Sequence, residues 1–229
     1  MKKSILSYMF ILLFIWLAAC SEDNNATDNN KNGDDKQAQL SIFAEGAKIH
    51  GANGIKFGPD GNLYIASFSG RYIAVMNPDN GNIIKKYAQE SQVDSPDDID
   101  FGPDGSMYWT DMPSGYIGKM SPDGTVKKQF VALGVNPISI SDDGKRLFTA
   151  CDFFGDGFSE VDPNLEQPPR QILPEVGWLN GFDIGPDGWV YGPILAMDKV
   201  CRLNPDDGTI EALPVDIHTA CAVKFGPDG

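Results

Sequence analysis

From residue 54 onward the chain is built of short apolar runs separated by polar turns. The first two runs, Ile55-Lys56-Phe57 and Leu63-Tyr64-Ile65-Ala66, are joined by Gly58-Pro59-Asp60-Gly61. Runs this short, bounded by Gly, Pro, Asp and Asn, are signals of strands. Proline presets φ for the second position of a type I turn, aspartate can bond the backbone ahead of it, and glycine accepts positive φ. The tetrapeptide therefore joins two strands as a hairpin.

The hairpin repeats. Phe57-Gly58-Pro59-Asp60-Gly61 returns at 101–105, 184–188 and 225–229, with a worn copy at Ile140-Ser141-Asp142-Asp143-Gly144. The first residues of the copies are 44, 39, 44 and 41 positions apart, so the period is about 42 residues, which suits a four-stranded propeller blade. Counting runs predicts strands at 54–57, 63–67, 72–76 and 83–87, then 99–101, 107–110, 116–120 and 126–130. A third set lies at 138–140, 147–151, 157–161 and 170–173, a fourth at 182–184, 189–192, 200–203 and 210–213, and a fifth begins at 222–225. The fold class is all-β, a β-propeller of four-stranded blades with about four blades and the start of a fifth. The last turn phrase closes the sequence at Gly229, where an inner strand would be left unpaired. The sequence is therefore expected to be the N-terminal part of a longer propeller. An aromatic residue follows each of four turns at Tyr64, Tyr108, Phe148 and Tyr191, placed to pack neighbouring blades together, since a blade cannot bury its faces alone. Tyr108-Trp109-Thr110-Asp111 also spells the signature of another propeller family, but in one blade only.

The start of the chain has a different pattern. Lys2 and Lys3 precede an apolar run from Ile5 to Leu17, too short to span a bilayer comfortably and typical of a secretory signal. It ends in Leu17-Ala18-Ala19-Cys20, which resembles a bacterial lipobox and implies cleavage after residue 19 and lipidation of Cys20. Residues 20–39 are rich in Asn, Asp, Gly and Lys, cannot bury enough surface to fold, and form a tether to the propeller at 40–229. Residues 40–52 read as a strand-like lead-in. Ser21 after the modified cysteine favours the outer membrane, so the protein is expected on the bacterial cell envelope, held to the membrane by its N-terminal lipid.

Charge narrows the function classes. The formal net charge is −14, and without the first 19 residues 16 basic residues face 32 acidic ones, giving −16. This excludes the Lys and Arg clusters that nucleic acid requires. Much of the aspartate lies in turns, where it is structural. Three cysteines remain beyond Cys20, at Cys151, Cys201 and Cys221, leaving one pair and one thiol as an option in an oxidising compartment.

Candidate chemistry lies four residues before each turn phrase, where the column reads Asn53, Asp97, Asn136, Asn180 and then Cys221. These positions open the innermost strand of each blade, and repeat symmetry brings them together at the mouth of the channel. Amide and carboxylate oxygens are hard ligands of the kind Ca²⁺ or Mg²⁺ requires. Asn and Asp before a strand also serve as plain turn residues. His218, in the loop entering the fifth unit, is placed to assist proton transfer at the same mouth.

The order Asn-Gly, strand, Pro-Asp-Gly, strand resembles the senescence marker protein, gluconolactonase and luciferin-regenerating enzyme group of six-bladed propellers. Ala52-Asn53-Gly54-Ile55, Leu179-Asn180-Gly181-Phe182 and Pro96-Asp97-Asp98-Ile99 carry the resemblance over residues from about 50 to 229. The resemblance implies six blades and one divalent cation in the channel, with lactone hydrolysis as the reaction. Carried over by position, Asn53, Asn136 and Asn180 are the amide ligands and Asp97 the carboxylate, with Ca²⁺ first and Mg²⁺ or Zn²⁺ as alternatives. A general base would then be Asp97 or Asp98. The substrate is expected to be a small lactone or ester. The sequence departs from the family where only Glu45-Gly46-Ala47 answers its N-terminal Glu-Gly-Pro, and where the aspartate arrives early, in the second blade. The alternative is a non-catalytic propeller that binds a sugar, peptide or protein partner at the channel mouth.

Overall fold

Each complete repeat folds as one four-stranded antiparallel meander. The computed structural model describes residues 48–226, so the signal segment, Cys20, the tether and most of the lead-in lie outside the described residues. The first sheet comprises β1 (Ala52–Phe57), β2 (Leu63–Ser67), β3 (Tyr72–Met76) and β4 (Ile83–Tyr87). The second comprises β5 (Pro96–Phe101), β6 (Met107–Asp111), β7 (Tyr116–Met120) and β8 (Val126–Phe130). The third comprises β9 (Val135–Ile140), β10 (Leu147–Cys151), β11 (Phe158–Val161) and β12 (Arg170–Leu173). The fourth comprises β13 (Asp183–Ile184), β14 (Val190–Ile194), β15 (Lys199–Leu203) and β16 (Ile210–Ala212). Strand order follows the chain in every sheet, as propeller blades require.

The turn phrase works as its residues dictate. Gly61, Gly105 and Gly188 donate N–H bonds of 2.9 Å to the carbonyls of Gly58, Gly102 and Gly185. Their φ angles are 76°, 80° and 80°, the left-handed region in which glycine carries no Cβ penalty. Asp60, Asp104 and Asp187 each accept the backbone N–H two residues on, at 3.1, 2.9 and 3.1 Å.

Three apolar cores lie between adjacent blades. Tyr64 and Val75 pack on Ile99 and Trp109; Tyr108 and Ile117 pack on Ile138 and Leu147; Phe148 and Phe158 pack on Phe182 and Val190. The aromatic column therefore joins blade to blade. Tyr64 meets Phe101 edge-on at 4.8 Å, and Tyr191 meets Phe225 edge-on at 5.1 Å. Phe57, the corresponding residue of the first blade, is 62% exposed.

A polar belt along the inner strands reinforces these cores. Asp100 accepts the Ile140 N–H at 2.9 Å and pairs with Lys56 at 2.8 Å. Burial alone would lower the Lys56 amine, but Asp100 outweighs it and holds the lysine above its ordinary value. Two blades on, Asp183 accepts Ser139 Oγ at 3.1 Å and the Phe225 N–H at 3.1 Å. Inner strands of neighbouring blades share no ladder, so a carboxylate reaching across satisfies N–H groups that burial would otherwise strand.

The fifth unit departs from expectation. Residues 222–225 form no strand; instead Val223 donates to Gly181 O at 2.7 Å and Lys224 Nζ to Phe182 O at 3.1 Å. A strand needs a ladder partner, and this segment instead makes isolated contacts to Gly181, Phe182, Asp183 and Tyr191. The inner strand of the fourth sheet also shortens, to Asp183–Ile184. Cys151 and Cys201 are buried thiols with no disulfide between them.

Candidate functional site

The site column falls where each inner strand carries one extra residue. Register passes from Ala52↔Ser67 to Ile55↔Ile65 in the first sheet, from Pro96↔Asp111 to Ile99↔Trp109 in the second, and from Val135↔Cys151 to Ile138↔Thr149 in the third. Two residues thus oppose one at Asn53-Gly54, Asp97-Asp98 and Asn136-Pro137. Such bulges bend a strand and re-aim its side chains.

The re-aimed side chains meet in pairs. Asn53 Nδ2 donates to Asp97 Oδ1 at 2.9 Å, and Asn136 Nδ2 donates to Asp152 Oδ2 at 2.9 Å. Asp97 is 3% exposed and Asp152 is fully buried. Burial, followed by repulsion from Asp152 and Asp98, pushes the Asp97 carboxyl up to about 8 against the Asn53 bond. Burial pushes Asp152 up to about 7, opposed only by Asn136. The second oxygen of Asp152, Oδ1, is buried with no hydrogen-bond partner. Two neighbouring acids held this way want either a proton or a cation.

The other predicted residues have different surroundings. Asp98 is buried, and both of its oxygens are engaged, Oδ1 by the Ile99 N–H at 2.9 Å and Oδ2 by the Ile138 N–H at 3.1 Å. It ties the second blade to the third. Asn180 sits in the same register, but its Oδ1 accepts its own neighbour's N–H, from Gly181, at 2.9 Å. It behaves as a turn residue. His218 Nδ1 lies 2.7 Å from Asp198 Oδ2 and its Nε2 lies 3.2 Å from Asp216 Oδ1. Bonding to Asp198 first, then the charges of Asp198 and Asp216, raises the imidazole above its ordinary value. Cys221 Sγ contacts Thr219 O at 3.6 Å.

Asp152 is the residue that the column misses, because it follows the second strand of its blade and does not open the first. A usable signal exists. In a meander, the end of the second strand returns to the face where the first strand begins, so an acid just after 147–151 belongs to that face.

The donor set suits a hard cation. Each amide spends its Nδ2 on a carboxylate, and Asp152 Oδ1 has no other use. Among the described residues no three acidic, His or Cys side chains converge as a metal cluster. A cation here would rest on two carboxylates completed by amide oxygens, a set hard divalent ions accept.

No protein-family model and no curated protein matches the sequence significantly. Solved structures do match. The chain superposes on a streptogramin B lyase with TM-score 0.60 and 18% identity, covering 77% of this chain and 57% of that one. A gluconolactonase from Xanthomonas campestris matches with TM-score 0.61 and 18% identity over 77% of this chain and 66% of that one. The hydrazine synthase of Kuenenia stuttgartiensis matches with TM-score 0.62 and 19% identity over 84% and 57%. The chain therefore spans less than two thirds of the length of these three proteins. Its fold is that of the β-propellers, gluconolactonases among them.

Proposed function

We propose that the protein hydrolyses a lactone or related ester with the help of a divalent cation held at the Asp97–Asp152 pair. The observation that carries this reading is the fully buried, unpartnered Asp152 Oδ1 beside a second raised carboxyl. The fold shared with a gluconolactonase supports it. Asp97 and Asp152 would hold the ion with the amide oxygens of Asn53 and Asn136, and Ca²⁺ fits an all-oxygen set best, ahead of Mg²⁺ and Zn²⁺. When bound, the ion would supply compensating charge and Lewis acidity toward the ester carbonyl.

The chain's own residues do the rest. Asn53 fixes one oxygen of Asp97, which leaves the other to take a proton from the attacking water. Water oxygen bonds to the carbonyl carbon, the ring C–O bond breaks, and the proton passes to the departing ring oxygen. Asp98, with both oxygens committed to backbone, positions Asp97 and its blade rather than exchanging protons. The Leu17–Cys20 motif supports placing this activity on the cell envelope.

The test is metal content together with a lactone-hydrolysis screen on the full chain, with Ca²⁺, Mg²⁺ and Zn²⁺ added in turn. Stoichiometric metal and cation-dependent turnover, both lost in Asp152→Asn, are expected. Metal without turnover would favour a binding propeller that presents the same mouth to a sugar, peptide or protein. No metal would end the cation reading.

A further inference from the structure

Two aromatic rings meet in the loops that follow Asp152 and precede Asn180. Phe153 follows Asp152 directly, and its ring lies 6.5 Å from that of Trp178 at an interplanar angle of 24°. They are 37% and 43% exposed. Both residues have left-handed backbones, with φ of 55° and 64°. A bulky side chain rarely adopts this region, and such strain concentrates at functional sites.

The surrounding bonds hold that conformation. Asp156 gathers the N–H groups of Gly157, Val176, Gly177 and Trp178, at 2.7 to 3.3 Å. Leu195 and Ala196 of the next blade donate to the carbonyls of Trp178 and Gly177 at 3.1 Å. On the other side, the Asp152 N–H donates to Gly134 O at 2.9 Å. A Cβ on Gly134 would lie 2.3 Å from Asp152 O, so the loops leave no slack there. Leu133 and Phe154 extend the apolar rim, 53% and 51% exposed. Asp156, between the two rings in sequence, is consumed by backbone N–H groups. Preorganised aromatic surface costs little entropy to use.

We infer that Phe153 and Trp178 form a substrate subsite of the Asp97–Asp152 centre and seat a planar apolar group, an aryl ring fused to the lactone or borne by the ester. This deepens the hydrolase reading and rests on it. The near-parallel faces of the two rings suit a planar apolar group, and an anionic ring would face two buried acids.

The experiment compares kcat/KM for a benzo-fused δ-lactone and for the unsubstituted δ-lactone, with Ca²⁺, in the wild-type full chain, Phe153→Gly and Trp178→Gly. Glycine removes each ring and also the left-handed penalty, so neither melting temperature is expected to fall. The ratio of the two kcat/KM values should drop roughly 3- to 10-fold in each variant, the range that one aromatic contact provides. An unchanged ratio in both variants overturns the subsite. If neither lactone is turned over by the wild type, the hydrolase reading fails separately. Calorimetric binding of the benzo-fused lactone then decides the subsite. Saturable binding that disappears in Phe153→Gly sustains it, and no binding to the wild type overturns it.

Discussion

Asp111 ends the second strand of its blade, Asp152 follows directly after the second strand of the next blade, and both are fully buried. Their surroundings differ completely. Asp111 Oδ1 accepts the N–H groups of Asp94 and Ser95, each at 3.0 Å. Its Oδ2 takes Trp109 Nε1 at 3.2 Å and Lys128 Nζ at 2.5 Å. Asp152 has one donor, Asn136, and an oxygen with none. A buried carboxylate with four donors is a structural joint, whereas one with a single donor costs the fold free energy and makes sense as a ligand site. Burial alone does not separate the two roles, but the count of donors does.

The sharpest way to break this contrast is to remove each acid. Asp111→Ala strands the Lys128 ammonium, Trp109 Nε1 and two backbone N–H groups, and should destabilise the fold by about 3–5 kcal/mol in urea unfolding, as breaking a buried ion pair does. Next in size is a pH effect from the other corner. The Asp97 and Asp152 carboxyls rise from an ordinary 3.8 to about 8 and about 7 in the fold. The folded state therefore binds more protons than the unfolded state between those values. Without added cation, stability should be highest near pH 4 and fall as pH rises through 7 and 8, by on the order of 3 kcal/mol. Urea midpoints at pH 5 and pH 8.5 in chelator would measure it, and saturating Ca²⁺ should flatten the profile. A flat profile in chelator would mean that the acids are better solvated than their burial indicates. Asp152→Asn should then stabilise the chelated protein at pH 8 by about 1–3 kcal/mol, because the amide keeps an acceptor for Asn136 and removes the buried charge.

The same contrast explains how much of the molecule is legible in its sequence. The turns are legible because Pro-Asp-Gly is itself the mechanism of the turn, so the 42-residue period carries the blade boundaries with it. The aromatic column is legible for the same reason: Tyr64, Tyr108 and Tyr191 repeat three residues after the turn glycine and Phe148 follows one residue later, and each blade must cover its neighbour. The site is legible only in part. Asn53, Asp97 and Asn136 share a register that the bulges turn to common use, but Asn180 shares it too and bonds its own loop. That choice is made by the short strand β13 and the left-leaning Gly181, with φ of 23°, and not by residue type. Asp98 looks like a second base beside Asp97, yet two backbone N–H groups in the fold occupy it. Asp152 escapes because its strand obeys no repeated signal at that position, where the other blades place Phe68, Met112 and Leu195.

The smallest effect tests the second-blade corner from its far side. Trp109 lies flat over Gly118 in the paired strand β7, and a Cβ built there would come within 2.1 Å of the ring. The indole is fully buried, so it cannot move aside without breaking its bond to Asp111. Gly118→Ala should therefore destabilise by about 1–3 kcal/mol through overpacking. Gly188→Ala is the control, since its site has φ of 80° and no atom within 4 Å of the new Cβ. It should cost only about 1 kcal/mol, from backbone strain alone. In Asp111→Ala the indole has lost its polar anchor and is freer to shift, so the Gly118→Ala penalty should shrink in that background. A double-mutant cycle in urea reads the coupling directly. Additive penalties would show that Trp109 is held by packing alone, and that the second-blade joint depends on Lys128 and the two backbone N–H groups rather than on the indole.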